Sequence, residues 1–404
     1  MGRSRASTSG VSRGLAGAGL ALILAAGATA QPDQVSAIPN LAGKILTVKG
    51  PIDPAQAGPT LMHEHIFIEF KAPSTAGGAG VTDDDRQPPQ GASAQGPGAA
   101  MARAQGWNRL DDFDEQLAEV MAFKRAGGGT IVDTTNFGLT RNPVWLKRVS
   151  DAFGLHVVMG AGWYMRTLHP PDMDARTVEE LTDIVVRDVT VGAQGTNIRS
   201  GIIGEVGVGV FGPPVPLTEN ERKSVRASAR AARLTGAPMT LHSFAPADQM
   251  QRVLDIIASE GVDSSRVVMG HTGTGDLAAM KRYTDRGAYI EFDYIGSGTG
   301  PDSGPALAQA ADRLATSIKA LVDGGLTDRI LVAHDVCTQP QLKRNGGGGF
   351  DYISTAVMPA LRAKGVSEET IRTILVDNPR RVLTFVAPQA AVTSQAGPAG
   401  GRER

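Results

Sequence analysis

A single cysteine, Cys337, occurs in 404 residues, so no intrachain disulfide can form and a packed core has to supply the stability. Charge of one sign is also lacking. Forty Lys and Arg against 41 Asp and Glu leave a net charge of −1, which gives no electrostatic case for a nucleic acid or an anionic membrane as partner. Aromatics make up only 5% of the chain, and no apolar run reaches the ~20 residues that a membrane-spanning helix needs. A small-molecule partner is the expectation that survives these absences.

The first thirty residues stand apart from the rest. Arg3, Arg5 and Arg13 precede an apolar stretch over residues 15–26, and Ala28-Thr29-Ala30 closes it with small side chains, the pattern of a cleavable Sec-type signal peptide. No Arg-Arg pair marks twin-arginine export, and no cysteine follows the cleavage site to carry a lipid. A periplasmic or secreted protein, with no membrane insertion after cleavage, is therefore expected. Residues 31–57 read as an N-terminal linker and residues 387–404 as a disordered tail rich in Ala, Gly and Gln.

Between them, short β-branched or apolar runs alternate with amphipathic stretches of helical length, which predicts βα units around a parallel sheet. The runs cover residues 60–66, 130–134, 156–161, 201–206, 238–242, 266–271, 288–293 and 330–335. Phe113, Leu117, Val120 and Met121 carry helical spacing, as do Met250, Val253, Leu254 and Ile257, while Thr218 and Glu221 form a capping-box pair. Eight strands with covering helices predict an α/β fold, a single (β/α)8 TIM barrel over residues 58–386. One long insertion, residues 71–106, follows the first strand; its Gly, Ala, Pro and Gln content points to a flexible segment.

Of the seven histidines, His63, His65, His242, His271 and His334 lie at or near the C-terminal ends of predicted strands. His63 and His65 are two apart, so strand alternation turns both to one face. Active sites of such barrels sit at the C-terminal strand ends, where His242, His271, Asp335 and Glu205 also fall. One buried histidine is usually a hydrogen-bonded core residue, but a set converging from several strands calls for another explanation. Imidazoles with carboxylates suit two divalent metal ions, zinc first, with manganese or cobalt as alternatives, and Glu205 can bridge the pair. His334 alternates to the opposite face, where it packs or bonds backbone. His156 starts a strand at the wrong end, and His169 sits in a loop beside Pro170; neither is expected to bind metal.

The motifs Gly58-Pro-Thr-Leu-Met-His-Glu-His65, Gly201-Ile-Ile-Gly-Glu205, Leu241-His-Ser243, Met269-Gly-His-Thr272, Phe292-Asp-Tyr-Ile-Gly296 and Leu331-Val-Ala-His-Asp335 resemble those of the phosphotriesterase family of the amidohydrolase superfamily, in the same order. The resemblance implies that His63, His65 and Asp335 hold a buried metal and that His242 and His271 hold a more exposed one. Well-known members bridge their metals with a carboxylated lysine, which residues 201–210 lack, so Glu205 takes that place. This feature, with Leu342-Lys-Arg-Asn-Gly-Gly-Gly-Gly-Phe-Asp-Tyr352, resembles the phosphotriesterase homology branch. A homodimer is compatible with the resemblance.

The implied activity is hydrolysis of an ester-like bond (phosphoester, carboxylic ester or lactone) by a metal-bridging hydroxide, with Asp335 accepting its proton. Trp163, Tyr164 and Tyr294 follow strands and are expected to line the substrate pocket. Tyr164 matches a tyrosine of the lactonase branch, whereas Tyr294 stands where that branch has arginine. Cys337 is expected to be inert or to line the pocket, and the 342–352 loop to be flexible over the mouth, with Lys343 and Arg344 steering an anionic substrate. Two alternatives remain open: a lactonase, or a non-catalytic periplasmic binding protein that keeps its metals.

Overall fold

The computed structural model describes residues 38–77, 109–210, 215–273, 277–296 and 306–390. The expected signal peptide and most of the expected insertion and tail lie outside the described residues. Twelve strands are found among the described residues, numbered in chain order: β1 (Ile45–Thr47), β2 (Gly50–Ile52), β3 (Thr60–Glu64), β4 (Ile68–Glu69), β5 (Arg109–Leu110), β6 (Thr130–Asp133), β7 (His156–Met159), β8 (Ile203–Gly209), β9 (Met239–Phe244), β10 (Val267–Gly270), β11 (Tyr289–Phe292) and β12 (Ile330–Val332). Eight of them coincide with the eight runs read from the sequence.

Those eight make two all-parallel sheets, ordered β3-β6-β7 and β8-β9-β10-β11-β12. Backbone hydrogen bonds cross between the sheets at both edges. Asp335 N–H donates to the His63 carbonyl (3.0 Å) and His65 N–H to that of Val336 (3.2 Å) at one edge. Ala161 N–H donates to the Gly204 carbonyl (3.1 Å) at the other. Among the described residues, no helix is long and apolar enough to cross a membrane.

The apolar residues divide into two clusters. The larger lies between strands and helices, where Met250, Val253, Leu254 and Ile257 bury the face that their spacing predicts. The smaller takes Met62, Val132, Val158, Ile202, Val268, Tyr289 and Leu331, one residue from or beside each of seven parallel strands, together with Ile45, Val382 and Leu383. Burial of these side chains stabilises the interior by roughly 1.5–3 kcal/mol for each large aliphatic group.

The helix Phe113–Arg125 buries Val120 and packs Phe113 and Leu117 against the core, as their spacing predicts, and also buries Gln116, Glu119 and Phe123. The Glu119 carboxylate is satisfied there, accepting the backbone N–H groups of Lys343 (2.9 Å) and Arg344 (3.0 Å). The Thr218/Glu221 capping box is present on the helix Glu219–Thr235. Glu221 also accepts Gly209 N–H at 2.9 Å, which ties the helix to the end of β8.

Three expectations need correction. Residues 31–57 are not all linker: Ile45 and Leu46 are fully buried, and β1 and β2 form an antiparallel hairpin. The hairpin docks closely because Gly201 has no side chain; a Cβ there would overlap the Leu46 carbonyl oxygen. The start of the expected insertion is anchored, since Ala76 is buried and its N–H donates to Asp172 Oδ1 at 2.7 Å. The tail is tied down through its first residues, Gln389 N–H donating to the Arg233 carbonyl at 2.9 Å. Nearby, Gly43 N–H donates to the Phe385 carbonyl (2.9 Å) and Phe385 N–H to that of Lys44 (2.8 Å), joining the early chain to the last helix.

Candidate metal centre

Strand alternation delivers His63 and His65 from the end of β3 to one side, and Glu205 from β8 meets them there. One carboxylate oxygen of Glu205, Oε2, lies 3.1 Å from His63 Nε2, 2.6 Å from His242 Nδ1 and 3.4 Å from His271 Nε2. The other, Oε1, lies 3.3 Å from His65 Nε2. Asp335 closes the group, with Oδ1 3.3 Å from His65 Nε2 and Oδ2 3.9 Å from His271 Nδ1. All six residues named from the sequence therefore meet in one place, each 7% exposed or less apart from His271, which is partly buried.

Local backbone helps to aim them. His271 and Asp335 take the left-handed conformation (φ 58° and 53°), as does Tyr294 (φ 54°). That region is sparsely populated by non-glycine residues and tends to be kept where function requires it. Each of the three directly follows or closely follows a strand end, where a reversed φ redirects the side chain.

The electrostatics are those of a dense, buried charge cluster. Burial disfavours a charged His63, but Glu205 and Glu291 outweigh it and hold its pKa well above the ordinary value. Against the same opposing burial, Asp335 and Glu205 push His65 up to about 9, and Asp293 with Glu205 pushes His271 up to about 10. His242 ends below its ordinary value because burial, reinforced by His271, prevails over Glu205. Burial would raise Glu205, yet His242 and His63 hold it well below the usual carboxylate range.

The donor set fits divalent metal. His63 Nε2 is buried with no hydrogen-bond partner, and among the described residues His63 belongs to three groups that could hold a metal: with His65 and Asp335, with Glu205 and His271, and with Glu291 and Asp293. Imidazole nitrogens beside carboxylate oxygens are the ligands of zinc and its first-row neighbours.

Sequence reasoning missed the residues around this centre. Glu291 on β11 accepts His63 Nδ1–H at 3.1 Å, and burial pushes its pKa up to about 7. Asp293 accepts from His271 twice, and Thr135 Oγ1 is hydrogen-bonded to His65 Nδ1 at 2.9 Å. The two-residue spacing of Glu291 and Asp293, which puts both on one face of a strand, was the signal available.

The expected substrate residues separate. Tyr164 points into the centre, its hydroxyl 3.2 Å from His242 Nε2, and Tyr294 is 54% exposed. Trp163 is not a pocket wall: it is fully buried, and its indole N–H donates to the Ala76 carbonyl at 3.0 Å. The two cations of the 342–352 loop are exposed and ion-paired, Lys343 with Asp351 (2.5 Å) and Arg344 with Glu115 (3.1 Å). That loop is built from short 3-10 turns over the buried Leu342 and Phe350. Cys337 is buried, which raises its thiol pKa well above the ordinary value, and its S–H contacts Gln341 Oε1 at 3.5 Å. His334 faces away from the centre, half-buried His156 starts β7, and His169 Nε2 bonds the Tyr164 carbonyl at 3.0 Å.

The chain is similar to known proteins along most of its length. The chain is 32% identical over 362 residues to the N-acetyltaurine hydrolase of Tetraodon nigroviridis, covering 86% of this chain and 99% of that protein. A resiniferatoxin-binding protein from Rhodobacter sphaeroides superposes with a TM-score of 0.69 at 34% identity, covering 85% of this chain and 96% of that one. The phosphotriesterase homology protein from Escherichia coli, complexed with phosphate in its active site, superposes with a TM-score of 0.66 at 27% identity, covering 82% and 100%. Residues 43–383 match the phosphotriesterase family, and with its motifs converging on one carboxylate-centred cluster the chain belongs to that family.

Proposed function

We propose that this protein is a binuclear metal-dependent hydrolase that cleaves an ester- or amide-like bond in a small molecule, with the metals seated at the mouth of a closed (β/α)8 barrel. The observation that carries the reading is Glu205, whose two oxygens lie within 3.4 Å of nitrogens from four histidines on three other strands. A carboxylate so placed would be able to bridge two cations. His63, His65 and Asp335 would hold one and His242 and His271 the other, zinc being the best match to the donors. Barrel closure is supported by the hydrogen bonds at both sheet edges and by the shared interior cluster.

When bound, such ions acidify water and polarise the oxygen of the bond under attack. The chain's own contribution is placement and proton handling. Asp335, close to His65 and at the rim of the cluster, accepts the proton released by the attacking water. The Tyr164 hydroxyl lies over His242, where it can hydrogen-bond a substrate oxygen, and Tyr294 supplies an apolar face at the entrance. The relative named for N-acetyltaurine hydrolysis extends the expected bond class from esters to amides. Export rests on the signal-like first thirty residues alone.

The likeness to a toxin-binding protein favours one rival, a metal-bearing binder without turnover. One experiment separates the two: metal content of wild type and Glu205→Ala, with a hydrolysis screen of N-acyl amides, lactones, carboxylic esters and organophosphates. Two metals per chain, lost in the variant together with a measured activity, supports the proposal. Metals without any turnover supports the rival, and one metal or none overturns the bridged site.

A further inference from the structure

We infer that Glu64, the residue between the two histidines, is the positioning residue that sets Asp335 against them; the inference rests on the metal-centre reading above. His63 and His65 face the centre, so alternation sends Glu64 to the opposite side of β3. Beyond the end of β12, the His334 ring and the backbone N–H groups of His334 and Val336 lie on that same side. Glu64 Oε1 accepts the backbone N–H of His334 at 2.8 Å and its ring Nδ1–H at 2.7 Å, and Glu64 Oε2 accepts the backbone N–H of Val336 at 3.0 Å.

One fully buried carboxylate thus grips the chain on both sides of Asp335. Hydrogen bonds to an ionised acceptor are about twice as strong as neutral ones, and burial removes competing water. His334 completes the brace. Its Nε2 accepts the Ile353 N–H at 3.0 Å, so the ring satisfies both contacts as the neutral tautomer with its proton on Nδ1. On the inner side, Asp335 N–H donates to the His63 carbonyl, and Gln341 Nε2–H donates to the Asp335 carbonyl at 2.7 Å.

Asp335 needs such holding because it sits at φ 53°, a conformation that an unrestrained aspartate populates sparsely. The strand that carries two ligands therefore also fixes the third. Glu64 touches none of the ligand atoms itself. Its effect should fall on the metal that uses Asp335 and spare the one held by His242 and His271.

The test uses the full chain, stripped of metal and titrated with zinc against a chromogenic chelator, with thermal unfolding recorded on the same samples. Glu64→Gln keeps the shape but turns an amide NH2 toward N–H donors. We expect one of two zinc affinities to weaken about 10–100-fold, the range for lost support of a metal ligand, while the other stays within about threefold. His334→Asn, whose amide can still donate to Glu64, should stay closer to wild type than His334→Ala. Two zinc affinities unchanged in Glu64→Gln, or both lost in step with a fall in Tm, would overturn the inference. If Glu64→Gln does not fold, the His334 pair decides: equal affinities in the Asn and Ala variants overturn the brace, and rescue by Asn supports it. Failure of wild type to bind zinc would instead overturn the metal reading beneath it.

Discussion

Asp293 holds His271 at two points, one oxygen accepting the ring Nδ1–H and the other the backbone N–H, each at 2.8 Å. Ring and backbone are both fixed, which leaves His271 Nε2 facing Glu205 at 3.4 Å. A carboxylate behind a ligating imidazole orients it and raises its basicity. Asp293→Asn should lower metal affinity about 10–100-fold with the fold intact, as read by competition titration and circular dichroism. Unchanged affinity would mean that His271 is not a ligand.

Removing metal should expose the charge cluster to pH. His65 and His271 are raised from 6.5 to about 9 and about 10, so their charged forms are favoured in the metal-free fold. The stability they contribute is fully present below pH 6.5 and is lost as pH rises through those values. Chelated protein should therefore lose Tm between neutral pH and pH 10 more steeply than loaded protein. Because ligating imidazoles must be neutral, loading at pH 7 should also release protons, His63 being raised as well, measurable by calorimetry in buffers of different ionisation heat.

Tyr294 combines 54% exposure with φ 54°. Glycine takes that backbone conformation without a steric penalty, so Tyr294→Gly should leave stability unchanged or raise it by up to ~1 kcal/mol. KM should rise for apolar substrates, because the aromatic face at the entrance is gone. Denaturant melts and steady-state kinetics check the two halves; a large loss of stability with unchanged KM would contradict both.

Arg141 is buried. Its guanidinium donates to Asp188 (2.8 Å), the Gly160 carbonyl (2.7 Å), Ser200 Oγ (3.3 Å) and Gln194 (3.2 Å). Arg141→Ala strands the Asp188 carboxylate, which burial already pushes above its ordinary pKa. The cost should be roughly 3–5 kcal/mol in urea unfolding, and lysine should not restore it because it lacks the planar fork.

The parallel strands were legible because each is a short β-branched or apolar run bounded by turn residues, and the helix of Met250 to Ile257 because its stripe is regular. The six centre residues were legible for the same reason: strand ends give a chemical group an address. The β1–β2 hairpin escaped because three-residue strands around glycine and proline carry no periodicity. The pairing of the loop cations was not legible because an unpaired lysine and a paired one look alike until Asp351 and Glu115 are placed beside them. Trp163 misled in the same way, since its partner Ala76 is 87 residues away. Glu64 and His334 meet across 270 residues, a separation at which local pattern has nothing to report.

The bonds that join Gly43 and Lys44 to Phe385 have a consequence for how the molecule is made. Contacts of such long separation cannot form until nearly all of the residues between them have been synthesised, and folds that depend on them assemble slowly. A nascent chain of this kind stays open at its seam until the last helix has emerged. The joint that completes the fold is thus among the last contacts that the chain can form.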